Sequence, residues 1–211
     1  QQDMRKFLKG DEGMVRALLG YSRRTAGEAP RVNYLAHTNG FTLADLVSYE
    51  RKHNEENGEN NMDGGSETDS WNCGVEGKTK RRTVLACRAQ QRRNAFALLF
   101  LSQGTPLFLA GDEFGNSQGG NNNAYCQDNA VSWLDWRQAK QEAENLAFVR
   151  GLIAFRKAHP ALGRQTPPLF LDTDAVGLPD VSYHGEQPWQ AQTEPFRRQI
   201  GILYNGHYAK L

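Results

Sequence analysis

The sequence is sparing in the features that usually classify a protein at sight. Its three cysteines, Cys73, Cys87 and Cys126, cannot all pair with one another and are too few for a disulfide scaffold, which fits a reducing compartment. Neither sign of charge dominates: 25 Lys and Arg face 24 Asp and Glu in 211 residues, a net charge of +1. That balance offers no electrostatic case for nucleic acid or an anionic membrane. No apolar run approaches the roughly 20 residues that a membrane-spanning helix needs. The opening Gln1-Gln2-Asp3 lacks the basic start and apolar stretch of a signal peptide, and it lacks an initiator methionine. The expectation is a cytoplasmic protein and a chain cut from something longer. Phosphate-binding glycine loops, a Gly-x-Gly-x-x-Gly turn and a Gly-x-Ser-x-Gly elbow are all missing, which removes the common nucleotide and serine-hydrolase readings.

What is present can build a core. Hydrophobic residues make up 38% and aromatics 10% of the chain, too much for wholesale disorder. Residues 3–19 space Met4, Phe7, Leu8, Val15, Leu18 and Leu19 as helix, broken near Gly10, and residues 26–30 read as a connector. Val32 to Ala36 reads as a buried strand ending at the Asn39-Gly40 turn. Thr83 to Ser102 reads as a helix with a basic first half and an apolar, buried end, stopped by Gly104. Thr105 to Ala110 is a continuous apolar run, the pattern of a central parallel strand. Strand, helix and strand predict a βαβ unit. Asn145 to Ala158 reads as an amphipathic helix stopped before Pro160. Beyond it, Leu169-Phe170-Leu171, Val181-Ser182-Tyr183 and Ile200 to Tyr204 read as short strands, so a boundary falls near residue 162.

Two long polar loops interrupt this pattern, residues 50–80 and 111–129. Long loops in a compact domain are commonly functional, and ligands of α/β proteins sit where such loops leave the C-terminal ends of parallel strands. The loops carry amides (Asn39, Asn72, Asn121, Asn122, Asn123), carboxylates (Asp112, Glu113, Asp128) and rings (Trp71, Tyr125, Trp133, Trp136). Amides both donate and accept, as sugar hydroxyls do, and flat rings cover the apolar faces of sugars. The plainer alternative is that Asn and Gly serve turns and Trp serves the core. A metal site is weaker. Glu59, Asn61, Asp63 and Gly64 match early places of a calcium loop, yet Ser70 stands where a bidentate Glu is required. The five histidines show no paired spacing with cysteine, so zinc is not expected and no cofactor is implied.

The strings VNYLAHTNGFTLADLVSYERKHNEENGENNMDGG, SWNCGVEG and LSQGTPLFLAGDEFGNSQGGNNNAYCQDNAVSWLDW are long and unusual in composition. They resemble the isoamylase and glycogen-debranching branch of the α-amylase family, in order, over most of residues 1–160. The tail, with HPAL, DVSYHG and FRRQIGILYNG, resembles the start of that family's C-terminal β-domain. The resemblance implies an α/β fold: residues 1–162 as the C-terminal portion of a (β/α)8 barrel, holding its seventh and eighth strands, and residues 163–211 as the incomplete start of an all-β domain. It implies hydrolysis of α-1,6-glucosidic branch points of glycogen, amylopectin or limit dextrin, with retention, by a nucleophilic carboxylate and a carboxylic acid/base.

On that resemblance the nucleophile and the acid/base lie on strands upstream of Gln1, so neither role falls to this chain. The family's usual His-Asp-Gly-Phe aligns with Thr38-Asn39-Gly40-Phe41. Thr38 stands for the His, and Asn39 stands for the Asp that supports the transition state. His37, one place early, is expected to point to the other side of an extended strand. Losing a charged transition-state contact costs a few kcal/mol, so efficient hydrolysis is at issue. Trp71, Asn123 and Tyr125 are the expected sugar contacts. Asp112 and Glu113 are expected to support the barrel mouth, since neighbours on a strand point opposite ways. Cys73 and Cys126 are expected as buried loop anchors. A partial barrel leaves open edges, so the missing N-terminal part, another chain or self-association is expected as partner. Two alternatives remain: a non-catalytic α-glucan-binding or regulatory relative, and a region serving only as scaffold.

Overall fold

The computed structural model describes residues 2–22, 32–164 and 166–209; the connector expected at 26–30 lies outside them. Helices α1 (Gln2–Lys9) and α2 (Met14–Ser22) flank the break at Gly10. Strand β1 (Val32–Asn33) pairs in parallel with β2 (Thr105–Pro106), Val32 opposite Thr105 and Asn33 opposite Pro106. Between them lie the one-turn helix α3 (Leu43–Leu46) and the 20-residue helix α4 (Arg82–Leu101). After β2 come α5 (Gln138–Gln141) and α6 (Ala143–Ala158). An antiparallel pair, β3 (Val181–His184) and β4 (Gly201–Tyr204), closes the order.

The expected βαβ unit is present, but its ladder is far shorter than the apolar runs suggested. Beyond Asn33 the ladder is taken over by a side chain: Arg5 of α1 donates from Nε and Nη2 to the carbonyl of Leu35. Leu35 and Ala36 are still buried, at 2% exposure each, so the run is core without being strand. Leu169-Phe170-Leu171 is also irregular, because the backbone N–H groups of Leu169 and Phe170 go to the carboxylate of Asp180 and not to a neighbouring strand.

One core lies beneath the parallel pair. Met4, Leu35, Phe41, Leu46, Phe96, Leu99, Phe100 and Val149 are buried in it. The apolar end of α4 supplies its centre, with Phe96 wholly enclosed. The basic first half of α4 has a different task. Arg88, itself buried, donates to the carbonyls of Gly77, Ser48, Asn72 and Val75, and so fastens the first long loop to the helix. At the other end of α4, Arg156 of α6 donates to the carbonyls of Phe100, Ser102 and Gly104. A cation there satisfies orphan carbonyls and complements the helix dipole. A second, smaller cluster joins Leu19 of α2 to Val181 and Tyr183 of β3.

Candidate functional site

Because β1 and β2 run parallel, the two long loops leave from the same edge and meet there. Their junction is made of amides. Asn54, fully buried, donates from Nδ2 to Oδ1 of Asn122 at 2.9 Å, and the backbone N–H of Asn122 donates to Oδ1 of Asn54 at 2.9 Å. Asn121 donates to Oδ1 of Asn57, and Asn57 donates to the carbonyl of Asn123. Gln127 reaches across to the same Oδ1 of Asn57 and to the carbonyl of Glu56. The loops approach so closely that a Cβ on Gly64 would lie 2.3 Å from Oδ1 of Asn122, at a backbone φ of +69° that favours glycine anyway. Every one of these buried amides is satisfied, which is the condition for a polar junction to be stable.

Two buried carboxylates cross the same junction. Asp45 of α3 accepts from the Ser117 hydroxyl and from the backbone N–H of Gln118 at 2.8 Å, both on the second loop. Asp112 of the second loop accepts from the backbone N–H of Leu43 at 2.8 Å, at the start of α3, and from Leu109 N–H. Burial pushes Asp45 above the usual carboxylate range and raises Asp112 to about 7. Asp112 and Glu113 lie on a 3-10 turn (Asp112–Phe114) and not on a strand, so their opposition on a pleat does not arise. The supporting placement of Asp112 nevertheless stands on its contacts.

A small cavity of about 100 Å3 opens at the junction; its lining includes His37, Asn39, Phe41 and Asn122 together with the charged Arg5, Glu67 and Asp69. Here one expectation fails. His37 is not turned away from Asn39, because the chain has already left the strand and turns at Thr38-Asn39. The backbone N–H of Asn39 donates to Nδ1 of His37 at 3.2 Å, and the ring stands edge-on to Tyr34. Burial, then the Arg5 charge, lowers the His37 pKa. Thr38 is exposed and does not line the cavity.

The other candidates are spread. Asn123 donates to the carboxylate of Asp63 at 2.9 Å, and the exposed Tyr125 donates from its hydroxyl to Glu59 at 2.9 Å. Trp71 is not brought to them. It packs with Leu35, Leu43, Leu46 and Leu8 around a separate small cavity of about 30 Å3. Trp133 and Trp136 are largely exposed, the latter with its ring tilted against Phe114 at 5.4 Å between centroids. Cys73 is buried as expected, but Cys126 is exposed at the end of its 3-10 turn. Asp63, the best of the calcium-loop residues, is engaged by Asn57 and Asn123, and no cluster able to hold a metal occurs among the described residues. No helix among those residues is long and apolar enough to cross a membrane. Asp45, Asn54, Asn57 and Arg88 went unnoticed as site-building residues; the density of Asn in 54–61 was the available signal.

No family model matches the chain. Individual proteins do. It is 53% identical over 134 residues to "Glycogen operon protein GlgX homolog" of Mycobacterium bovis, covering 64% of this chain and 19% of that protein. It is 47% identical over 172 residues to "Glycogen debranching enzyme" of Dickeya chrysanthemi, covering 78% and 26%. It is 38% identical over 208 residues to "Isoamylase 3, chloroplastic" of Oryza sativa subsp. japonica, covering 93% and 25%. The matched part is thus 19% to 26% of the length of these relatives. In fold the chain is similar to a pullulanase from Bacillus acidopullulyticus, with a TM-score of 0.56 at 22% identity, over 79% of this chain and 19% of that one.

Proposed function

We propose, for a chain that belongs to the isoamylase and glycogen-debranching branch of the α-amylase family, that it forms one side of an α-glucan cleft in an enzyme that hydrolyses α-1,6 branch points with retention. Residues 1–162 are the last part of its (β/α)8 barrel, with β1 as the seventh strand and β2 as the eighth, and 163–211 begin its C-terminal β-domain. The substrate is glycogen, amylopectin or a limit dextrin, and the setting is cytoplasmic. The observation that carries this reading is the junction of the two loops at one edge of the parallel pair, with Asn39 and Asn122 facing one cavity. The Asn122 amide is held in place by Asn54 and the Gly65 carbonyl, and the exposed Asn39 amide can both donate to and accept from a hydroxyl.

In this reading Asn39 binds sugar hydroxyls and His37 lines the same cavity, while Thr38 flanks them at the surface. Asn123 and Tyr125 meet outer sugars of the branch, and Trp71 supports the wall from behind. The nucleophile and acid/base come from other strands of the barrel, so this segment alone binds glucan without cleaving it and joins the rest of its barrel or self-associates. Calorimetric titration of the chain with a branched limit dextrin tests this. Saturable binding, weakened about tenfold by Asn39→Ala and with no release of reducing ends, is expected; a loss of one good hydrogen-bonding contact accounts for that factor. Binding unaffected by Asn39→Ala would remove the assignment.

The neutral Asn39 favours a second reading, a non-catalytic glucan-binding or regulatory relative. Asn39→Asp in an intact barrel separates the two. A gain in hydrolysis marks a weakened enzyme, and its absence from both forms marks a binding protein.

A further inference from the structure

We propose that Asp45 and Asp112 are positioning residues for the glucan-binding rim, a crossed pair in which Asp45 on the α3 turn holds the backbone of the second loop and Asp112 on the second loop holds the backbone of the α3 turn, so that the width of the cleft between Asn39 and Asn122 responds to protons. The inference rests on the cleft reading above only for its ligand; the crossing itself stands on geometry.

Asp45 and Asp112 are 0% and 1% exposed. Their partners across the junction are N–H and O–H groups: Gln118 N–H and the Ser117 hydroxyl for Asp45, Leu43 N–H for Asp112. Leu43 and Asp45 lie on the same single turn of helix, which Thr42 caps by accepting from Asp45 N–H at 3.1 Å. A shift at either carboxylate therefore moves that whole turn. From α3 the chain runs back through Phe41 and Gly40 to Asn39, and the second loop runs forward from Gln118 to Asn121 and Asn122.

Among the described residues, no ion pair to a cation forms at either group. The charged and titratable neighbours of Asp112 are Glu113 and Asp45, both of its own sign, and Tyr49 faces Asp45. The arginines of α4 that lie nearest are committed elsewhere, Arg88 to four loop carbonyls and Arg92 to Glu142 at 2.9 Å. A buried carboxylate without a cation binds its proton more tightly when enclosed than when exposed. By linkage, protons then favour the closed junction, and it loosens as pH rises toward about 7, where Asp112 ionises. Asn is neutral and nearly isosteric, so it removes the titration, but its NH2 replaces one of the two accepting oxygens and so gives up one of the bonds that the carboxylate makes.

The test uses the 211-residue chain and its variants Asp45→Asn and Asp112→Asn, read by amide-exchange protection factors and by titration with a branched limit dextrin from pH 5 to 8. In the unmodified chain, protection at Leu43 N–H and dextrin affinity should both fall as pH rises. Asp112→Asn should flatten both profiles while the helical circular dichroism is kept. Asp45→Asn should lower protection at Gln118 about tenfold, and at Leu43 as well, since the two bonds share one helical turn. Effects confined to each variant's own partner would overturn the crossed pair, as would a pH profile unchanged in Asp112→Asn. Dextrin binding absent at every pH, with the protection pattern as described, would sink the glucan reading and leave the crossed pair standing.

Discussion

Two regions of the molecule bury a carboxylate and treat it in opposite ways. In the β3–β4 region Asp180, 3% exposed, accepts from the N–H groups of Leu169, Phe170 and Val181 and also meets a cation, Arg164, at 2.9 Å. At the rim Asp45 and Asp112 receive, among the described residues, N–H and O–H groups without an ion pair. A neutralised pair holds a turn in place regardless of modest pH change. A carboxylate held by dipoles keeps the cost of its charge, and so remains responsive to protons. The rigid arrangement serves the hairpin, while the responsive one lies where the two loops meet.

The contrast can be broken at its strongest point first. Asp180→Ala strips the Arg164 guanidinium of its counter-charge and leaves three backbone N–H groups without their acceptor. Breaking a buried pair in this way costs about 3–5 kcal/mol, so a large fall in Tm, or loss of the β3–β4 hairpin in amide exchange, is expected. A next step compares pH. Asp112 titrates near 7 when folded, against the ordinary 3.8, so the folded chain binds a proton that the unfolded chain has released. Stability from this group is therefore greatest below about pH 4 and declines up to about pH 7, at no more than ~1.4 kcal/mol per pH unit. Urea midpoints across that window should show the decline, and Asp112→Asn should remove it. The smallest effect is expected from Asn54→Ala, which leaves the Asn122 amide and its backbone N–H without their buried partner at a cost of about 1–3 kcal/mol. The loss should be visible as faster exchange at Asn122 with the β3–β4 region unchanged.

Much of this was legible along the chain. The break at Gly10, the helix stopped by Gly104 and the helix ending before Pro160 follow from spacing and punctuation, and the observed α4 and α6 agree to within two residues at each end. Apolar periodicity reports burial faithfully but says nothing about which partner takes each backbone group. That is why Val32 to Ala36 reads as strand while Arg5 in fact claims the carbonyl of Leu35. The candidate site was legible only as composition. Amides and rings in two loops suggested a sugar ligand, yet which amides would face a cavity and which would face each other depended on contacts between residues 54–63 and 121–127, far apart in sequence. His37 was misplaced because alternation along a strand was applied to a residue already in a turn.

By itself the sequence determined the elements, the two loops and the kinship, because these rest on local propensity, periodicity and long shared strings. Only the tertiary structure decided that Asp45 and Asp112 cross, that Asn54 meets Asn122, and that Trp71 stands apart from Asn123 and Tyr125. Such pairings depend on how two long loops close upon one another, and the short-range preferences of the chain carry no term for that closure.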